Sequence, residues 1–407
     1  MKSAPDLRAR IADLVRADRG RLLAGLIRAL GEFQLAEDAL QDALEAALVH
    51  WRRSGVPQSP QGWLLRVARR KAIDRIRKDR RLAAKRSEIA TLAEEEAALD
   101  DMPEIADDRL RLIFTCCHPA LAEKSRVALT LRLIGGLSCE EIARAFLDKT
   151  PAMAARITRA KAKIAAAGIA YEVPEGPAMA ARLASVLGVI YLIFNEGYAA
   201  TRGEGQVRTD LCEEALFLAR MVMKLAPEQA EAEGLLALIL LSHARRAGRG
   251  TASIYIPLAE QDRGLWDWPQ IAEGTALVEQ ALARGQVGPY QVQAAIAALH
   301  TSEGPTDWPQ ISALYQLLLR MTPSPVVALN LAVARGEVEG ADVALAALDA
   351  VADALSAYQP FHAARAEMFA RAGQVAKARA AYDAALALTN VVSERTFLQA
   401  RRAELPD

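Results

Sequence analysis

Cysteine and histidine side chains are the first residues whose types and spacing could support chemistry. Cys116, Cys117 and His118 are consecutive, and Cys139 follows. Neighbouring positions on a helix point about 100° apart, so two consecutive thiols rarely bind one tetrahedral ion. Packing is therefore the favoured role, and a redox sensor formed with Cys139 stays open as an alternative. The four cysteines form no CxxC pair, which fits a reducing cytoplasm.

Motifs of enzymatic catalysis are not found in the sequence. It contains no Walker loop, no GxSxG nucleophile motif and no HExxH zinc motif. Only five of the 407 residues are histidines, so general acid–base groups are few. We therefore expect a protein that is not an enzyme and that needs no cofactor or metal.

Binding chemistry is concentrated in one basic segment, "GWLLRVARRKAIDRIRKDRR" at 62–81, which has nine Lys or Arg and two Asp. A helical wheel places Leu65, Ala68, Ala72 and Ile76 on one side, so this segment is predicted to be a helix that packs by that side. Two acids are too few for i,i+4 pairing with so many bases. A phosphate backbone is the better partner for the opposite side. The basic side chains there are Arg66, Arg70, Lys71, Arg77, Lys78 and Arg81.

Charge divides the chain into two halves. Residues 1–171 contain 31 Lys or Arg against 23 Asp or Glu, and residues 172–407 contain 19 against 27. A basic half indicates a polyanion as its partner. The acidic half would then dock on the basic half or face a basic protein.

A helix-turn-helix pattern follows between 135 and 168. Ser138 and Glu141 have the spacing of a capping box, and Thr150 before Pro151 is predicted to be the N-cap of the second helix. The buried stripe predicted for this helix is Met153, Ile157, Ala160 and Ile164, and the basic side chains predicted to face outward are Arg156, Arg159, Lys161 and Lys163.

The elements that must position these groups are predicted to be helices throughout. Apolar residues recur at helical spacing over 7–51, a loop covers 52–62, and an acidic linker precedes the second helical unit. Ala-rich helices follow, with segments 334–348 and 370–386 similar at an offset of 37, which suggests tetratricopeptide-like hairpins. The most apolar stretch, 183–194, is too short to span a membrane, so no membrane partner is expected.

Two polar groups in the C-terminal half could anchor an interface between domains or line a ligand pocket. Asn195, Glu196 and Tyr198 interrupt an apolar helix, and buried polar groups there would need partners. Asp262 and Arg263 are predicted to pair beside two packed tryptophans. The structural role is favoured for both groups, and a ligand stays open as the alternative.

Residues 7–170 resemble an extracytoplasmic-function sigma factor of bacterial RNA polymerase. The resemblance is carried by "LAEDALQDALEAAL", by the basic segment and by the helix-turn-helix, in that order. Later segments, including "RLIFTCCHPAL", "YLIFNEGYAA", "EQDRGLWD", "GPYQVQAAIAALH" and "PSPVVALN", resemble the subgroup with a long C-terminal TPR-like extension. The sequence is thus similar to this family over nearly its whole length.

The resemblance implies an all-α, cytoplasmic protein whose partners are core RNA polymerase, through its clamp helices and flap, and promoter DNA. Its domains would be region 2 (1–82), an acidic linker (83–106), region 4 (107–170) and a TPR-like regulatory or scaffold domain (178–407), with a protein or small-molecule partner of the last left open. The polymerase would be bound by Glu37, Asp38, Gln41 and Asp42. The −10 element would be bound by Trp63, Arg66, Arg70, Lys71, Arg77, Lys78 and Arg81, its bases captured by the loop at 52–62. The −35 element would be bound by Thr150, Arg156, Arg159, Lys161 and Lys163.

Two other functions are compatible with parts of the sequence. A helix-turn-helix regulator with a TPR-like sensor would act without core polymerase. It would have no reason for an acidic helix followed by a basic one over 37–81. A helical enzyme would need a polar pocket with convergent titratable groups in 178–407, which we do not expect.

Overall fold

Helices make up nearly all the regular structure of the chain. A computed structural model describes residues 7–83, 108–146, 148–200, 209–251, 254–389 and 391–406. Over these residues there are 18 α-helices and one two-stranded ribbon, so the prediction of an all-α fold is confirmed. The acidic linker predicted at 83–106 lies, except for its first residue, outside the described residues.

The chain divides into two compact units, residues 1–189 and 190–407. The first unit contains α1 (Leu7–Leu30), α2 (Phe33–Ser54), α3 (Pro60–Ala83), α4 (Arg109–Cys116), α5 (Glu123–Leu133), α6 (Cys139–Ala145), α7 (Thr150–Ala166) and the first half of α8 (Pro177–Ala200). We call α1–α3 the N-terminal group and α4–α7 the helix-turn-helix group.

The second unit begins within α8 and continues through α9 (Thr209–Leu225) and α10 (Ala230–His243). A short ribbon of β1 (Gly250–Thr251) and β2 (Ile254–Tyr255) follows, with 3-10 turns at Arg246–Arg249, Leu258–Glu260 and Arg263–Leu265. The remaining helices are α11 (Trp268–Ala283), α12 (Pro289–Thr301), α13 (Trp308–Met321), α14 (Pro325–Glu339), α15 (Ala341–Asp349), α16 (Gln359–Arg371), α17 (Val375–Leu388) and α18 (Val392–Ala403).

Small side chains form the buried face of α2. Leu40, Leu44 and Leu48 are spaced four residues apart, but only Leu40 is fully buried. The buried stripe consists instead of Ala36, Glu37, Ala39, Leu40, Ala43, Ala47 and Trp51. Because alanine side chains are small, the neighbouring helices lie close to α2. The Glu37 carboxylate lies on this buried face.

The loop predicted at 52–62 is shorter than expected. α2 continues to Ser54, and α3 begins at Pro60, where a missing N–H costs no helical hydrogen bond. Gly55 ends α2 with φ 78°, a conformation that favours glycine. Residues 55–59 therefore remain as the connection before the basic helix.

The helix-turn-helix group has the predicted capping box. The N–H of Ser138 donates to Glu141 Oε2 at 2.7 Å, and the N–H of Glu141 donates to Ser138 Oγ at 3.1 Å.

The N-cap prediction for Thr150 is wrong by one residue, because α7 begins at Thr150 and Lys149 precedes it with an extended backbone. Met153 donates its N–H to the Lys149 carbonyl at 3.0 Å and closes the first turn. The predicted buried stripe of α7 is confirmed.

The apolar segment of α8 is longer than the sequence suggested. Residues Ala178–Tyr198 have a mean hydropathy of 1.7, which meets the length and composition of a membrane span. Polar contacts in its first half instead indicate packing on protein. Arg182 donates to the Phe114 carbonyl at 2.8 Å, and Ser185 Oγ donates to the Cys117 carbonyl at 2.6 Å. These bonds satisfy carbonyl groups at the end of α4.

Helical hairpins build the second half of the second unit. The predicted offset of 37, which aligned Gly336 with Gly373, is wrong. Gly336 is buried inside α14, whereas Gly373 forms a turn with φ 71°. The turn glycine that corresponds to Gly373 is Gly340, with φ 101°. The second helices of the two hairpins begin at Ala341 and Val375, 34 positions apart.

The last helix returns to the ribbon near the start of this unit. Tyr255 of β2 and Phe397 of α18 pack edge to face with ring centroids 5.2 Å apart. Arg401 pairs with Glu260 in the same area. The last helix therefore packs on a segment of this unit that lies 141 positions earlier in the chain.

Gly234 allows the closest approach in the core of the second unit. It lies in α10, which is buried almost all round, and a Cβ there would be 2.7 Å from the backbone nitrogen of Gln291. We expect Gly234→Ala to destabilise the protein by about 1–3 kcal/mol in urea unfolding followed by circular dichroism. Gly25→Ala is the control, because a Cβ at Gly25 meets no atom within 4 Å. Equal stability of the two variants would contradict this packing.

Candidate nucleic-acid interface

The basic face of α3 is open to solvent. Arg66, Arg70 and Lys71 are exposed, and the opposite face is anchored by the buried side chains of Leu64, Leu65, Ala68 and Ala72. Arg77 is half-buried and has interactions within the protein. The side chains of Lys78 and Arg81 lie outside the described part of the structure. At least three cations are thus presented on a rigid helix.

Trp63 belongs to an aromatic cluster at the start of α3. Its ring stacks on His50 at 5.6 Å and meets the buried Trp51 ring at 5.3 Å. Trp63 is half-buried, so one part of its surface packs and another part faces solvent. The cluster fixes the start of the basic helix against the end of α2.

The acidic residues of α2 lie in different environments. Asp38 pairs with Arg75 of α3 at 2.8 Å and accepts a bond from Gln34 at 2.8 Å. Asp42 and Gln41 are exposed. This part of α2 therefore has one exposed carboxylate, at Asp42, and one that pairs with the basic helix, at Asp38.

Glu37 is buried, with 8% of its side chain exposed. Its Oε1 lies 3.5 Å from Arg19 of α1 and 3.6 Å from Arg132 at the end of α5, and its Oε2 pairs with Lys161 of α7. Lys161 also donates to Gln34 at 3.4 Å. We call Glu37 and these three cations the Glu37 cluster. Sequence reasoning missed Arg19 and Arg132, since nothing in their local pattern signals a distant carboxylate.

The basic residues of α7 are likewise divided. Arg159 and Lys163 are exposed, as is Thr150. Lys161, predicted to face outward, is turned into the Glu37 cluster and keeps 14% of its side chain exposed. The prediction failed because the Lys161 side chain meets Gln34 and Glu37 of α2, while its neighbours on α7 stay exposed.

Arg156 is held at the start of α7 by Asp148, 2.7 Å away. The N–H of Lys149 and the Arg156 guanidinium together hold the pKa of Asp148 below its ordinary value. A carboxylate that stays ionised fixes the orientation of the guanidinium fork. Asp148 is a residue that sequence reasoning missed.

Tyr171, in the segment that follows α7, makes a further contact with the N-terminal group. It lies between the domains predicted at 107–170 and 178–407, and its hydroxyl donates to the Ala24 carbonyl of α1 at 3.0 Å. Its ring meets Phe33 edge-on at 6.5 Å. Burial raises the pKa of Tyr171 well above its ordinary value. The sequence signal of this contact is an aromatic residue, Tyr171, in a segment flanked by Gly168 and Pro174.

The cysteines have the environment of packed side chains. Cys116 and Cys117 are fully buried. Burial raises the pKa of Cys117 to about 12, and it raises that of Cys116 as well. In the described part of the chain, no group of three or more His, Cys, Asp or Glu could hold a metal ion. Neither buried thiol has the exposure or thiolate character of a redox sensor.

Polar residues of the second unit have local partners. The Arg249 guanidinium lies 3.6 Å from the centre of the Tyr198 ring. The predicted pairing of Asp262 with Arg263 is wrong. Asp262 accepts the Gly264 N–H at 2.8 Å, and Arg263 donates to the Ser302 carbonyl at 2.8 Å, because nearby backbone groups compete for both side chains. Asn195 and Glu196 are half-buried.

Known proteins are similar to this chain in both compact units. Residues 14–82 match the family described as Sigma-70 region 2, and residues 182–282 match a family of unknown function (DUF6596). An uncharacterized protein of Rhizobium meliloti (strain 1021) is 44% identical over 390 residues, which cover 94% of this chain and 92% of that protein. The N-terminal group and the start of the C-terminal helices thus each have relatives.

Thiol reactivity tests the burial of the cysteines. Cys139 is half-buried, whereas burial raises the pKa of Cys117 to about 12 and that of Cys212 to about 11. A raised pKa leaves little thiolate at pH 8, so we expect Ellman's reagent to react rapidly with Cys139 and with the other three thiols only after unfolding. Cys139→Ser should remove the rapid phase. Rapid reaction of Cys116 or Cys117 in the folded protein would contradict the structure.

Proposed function

We propose that this chain, which belongs to the same family as the Rhizobium meliloti protein and is a sigma-70 family factor by its N-terminal domain, directs core RNA polymerase to specific promoters. In this proposal it is a cytoplasmic factor of the extracytoplasmic-function type. It binds polymerase and DNA and carries out no chemistry of its own.

The exposed basic face of α3 is the observation that carries the proposal. It lies within the segment that matches Sigma-70 region 2, and its cations have phosphate-binding chemistry. A buried apolar face holds the helix rigid, so the cations are positioned before DNA arrives. In the proposed complex, Arg66, Arg70 and Lys71 hold the −10 region, together with Trp63 and the basic residues at 77, 78 and 81.

Core polymerase would be bound by the acidic side of α2. Asp42 and Gln41 are exposed there, and Asp38 and Glu37 become available when their present cations are exchanged for those of basic clamp helices. Charge complementarity of this kind sets partner choice and speeds association.

The −35 element would be bound by α7. The Arg156 guanidinium, oriented by Asp148, suits a bidentate contact with guanine in the major groove. Arg159, Lys163 and Thr150 are exposed on the same helix and suit phosphate contacts, and Lys161 joins them once released from Glu37.

The C-terminal helices would form a TPR-like scaffold that supports the factor. A 34-residue spacing between corresponding helices supports the TPR-like assignment. A protein or small molecule that signals to the factor would bind here, with Asn195, Glu196 and Tyr198 as one candidate group.

Transcription in vitro tests the proposed function. The full-length chain is mixed with purified core RNA polymerase and a library of genomic promoter fragments, and run-off transcripts are sequenced. Transcripts that begin at defined positions and require the chain are expected. A chain that binds the same DNA without polymerase and yields no transcript would be a conventional helix-turn-helix regulator.

Loss of cations from α3 should weaken promoter melting. We expect Arg66→Ala with Arg70→Ala to reduce open-complex formation and to lower the slope of log affinity against log salt by roughly one for each lost phosphate contact. Permanganate reactivity of the melted bases measures the effect. Arg320→Ala, an exposed arginine of α13, is the matched control. Identical salt slopes for the double variant and the wild type would remove α3 from the DNA interface.

Truncation tests the scaffold role. A chain that ends after Tyr171 loses Arg182 and Ser185, whose bonds cover the end of α4. We expect that fragment to be insoluble or inactive, because apolar surface of the helix-turn-helix group becomes exposed. A fragment that ends after Val189 keeps those contacts and should be more soluble. A soluble fragment 1–171 that is more active than the full chain would establish an inhibitory role instead.

A further inference from the structure

We propose that Asp148 reads a DNA base, and that together with Arg156 it recognises two adjacent base pairs of the −35 element. Arg156 contacts a guanine, and Asp148 accepts a hydrogen bond from the amino group of a cytosine or adenine at the neighbouring position of one strand. This assignment rests on the proposed function, because it gives part of the promoter readout to a residue that lies before α7.

The Arg156 side chain runs along α7 toward the start of the helix. Its Nη1 lies 2.7 Å from Asp148 Oδ2 and 3.5 Å from Met153 Sδ, so the guanidinium lies beside the first turns. The first turns of a recognition helix are the part that meets base edges in the major groove. The contacts that the described chain makes with this guanidinium both use Nη1. Donors on its other nitrogens therefore remain for a guanine, which accepts two bonds from one arginine.

The Asp148 carboxylate is held at both of its oxygens and still has acceptor capacity. Its Oδ1 accepts the N–H of Lys149 at 2.8 Å, and its Oδ2 pairs with Arg156. Each carboxylate oxygen can accept two hydrogen bonds, and 26% of the Asp148 side chain is exposed. Asp148 thus presents a fixed, accessible acceptor at the same end of α7 as the guanidinium.

Other side chains at this level of α7 cannot form hydrogen bonds with base edges. The exposed positions between Thr150 and Arg156 are Pro151, Ala152 and Ala155. These residues have no side-chain donor or acceptor, although an alanine methyl group can touch the methyl group of thymine. Hydrogen-bond readout at the start of the helix therefore falls to Thr150 and to the pair of Asp148 and Arg156.

The chemistry of the major groove determines which bases a carboxylate accepts. Cytosine N4 and adenine N6 donate hydrogen bonds there, whereas guanine O6 and thymine O4 are acceptors. An ionised carboxylate only accepts, so it binds the first two bases and is repelled by the other two. The two contacts of Asp148 hold its pKa below the ordinary value, so the group stays ionised at neutral pH.

The negative charge of Asp148 also acts against binding to the wrong DNA. An unpaired arginine binds phosphate groups of any sequence, and such contacts carry no sequence information. A carboxylate beside Arg156 repels phosphates and leaves the guanidinium favourable contacts mainly with a base edge. Asp148 therefore adds discrimination both by the bond it accepts and by the contacts it opposes.

Selection from a promoter library tests the base-reading role. The full-length chain and core polymerase transcribe promoters whose −35 element is randomised, and the transcribed promoters are sequenced. We expect the wild type to select a guanine beside a cytosine or adenine, and to disfavour guanine and thymine at that second position by about 5- to 100-fold. A wild-type preference without this pair of neighbouring bases would overturn the proposal.

Two variants of Asp148 separate base reading from the positioning of Arg156. Asp148→Asn keeps the shape of the side chain, but its amide donates as well as accepts, so it tolerates all four bases. We expect this variant to keep the guanine preference and to discriminate at the second position by only about 3-fold or less. Asp148→Ala removes the partner of Arg156 too, so both preferences should weaken.

The order of base preferences distinguishes these effects from a loss of structure. A residue with only a structural role would lower transcription from all promoters alike. Glu123→Gln, which removes the charge of an exposed carboxylate of α5, is the matched control and should keep both wild-type preferences. Circular dichroism checks that each variant folds. If Asp148→Asn weakens the guanine preference as much as the second one, Asp148 only positions Arg156 and does not read a base.

Failure of this assignment differs from failure of the proposed function. If the wild type with core polymerase transcribes no promoter of the library, the proposed function is wrong, and the readout by Asp148 falls with it. If the wild type selects promoters and Asp148→Asn selects the same −35 sequences with equal preference, only the role of Asp148 is wrong.

Discussion

The carboxylate of Glu37 is the charge on which the arrangement of the first compact unit depends. Three cations from α1, α5 and α7 surround it, so the cluster has one negative group against three positive ones. Burial and the nearby Arg132 lower the pKa of Arg19, and Glu37 opposes them. Without the carboxylate, like charges would face one another where water screens them poorly. Removing one partner of such a buried pair typically costs about 3–5 kcal/mol.

Local features of the fold could be predicted from the sequence, and distant pairings could not. The capping box at Ser138 and the buried stripe of α7 are encoded within a few residues, so periodicity and capping rules suffice. The Glu37–Lys161 pair joins residues 124 positions apart, and a helical wheel cannot say which element covers a face. Amphipathic spacing predicted that Lys161 faces solvent, because the spacing shows which residues of α7 share a face but not which other helix contacts that face.

Two further predictions, the alignment of Gly336 with Gly373 and the pairing of Asp262 with Arg263, were wrong for a related reason. Gly336 serves close packing within a helix, and Gly340 serves a turn, yet the letters of the sequence do not distinguish these uses. Adjacent Asp262 and Arg263 have opposite charges, but Asp262 accepts a hydrogen bond from a backbone N–H and Arg263 donates one to a backbone carbonyl. The backbone φ of a glycine and the backbone groups within reach of a side chain depend on the folded chain. The turn glycine and these hydrogen-bond partners could therefore be identified only from the structure.

Contact between α18 and the ribbon changes how the second unit should lose its structure. In an open array of helical hairpins each repeat touches only its neighbours, so unfolding can start at an end and proceed repeat by repeat. Here Phe397 packs on Tyr255, and Arg401 pairs with Glu260, so the terminal helix has a long-range neighbour as well. Fraying of α18 therefore also removes contacts from the ribbon, and we expect the helices between them to unfold together with both.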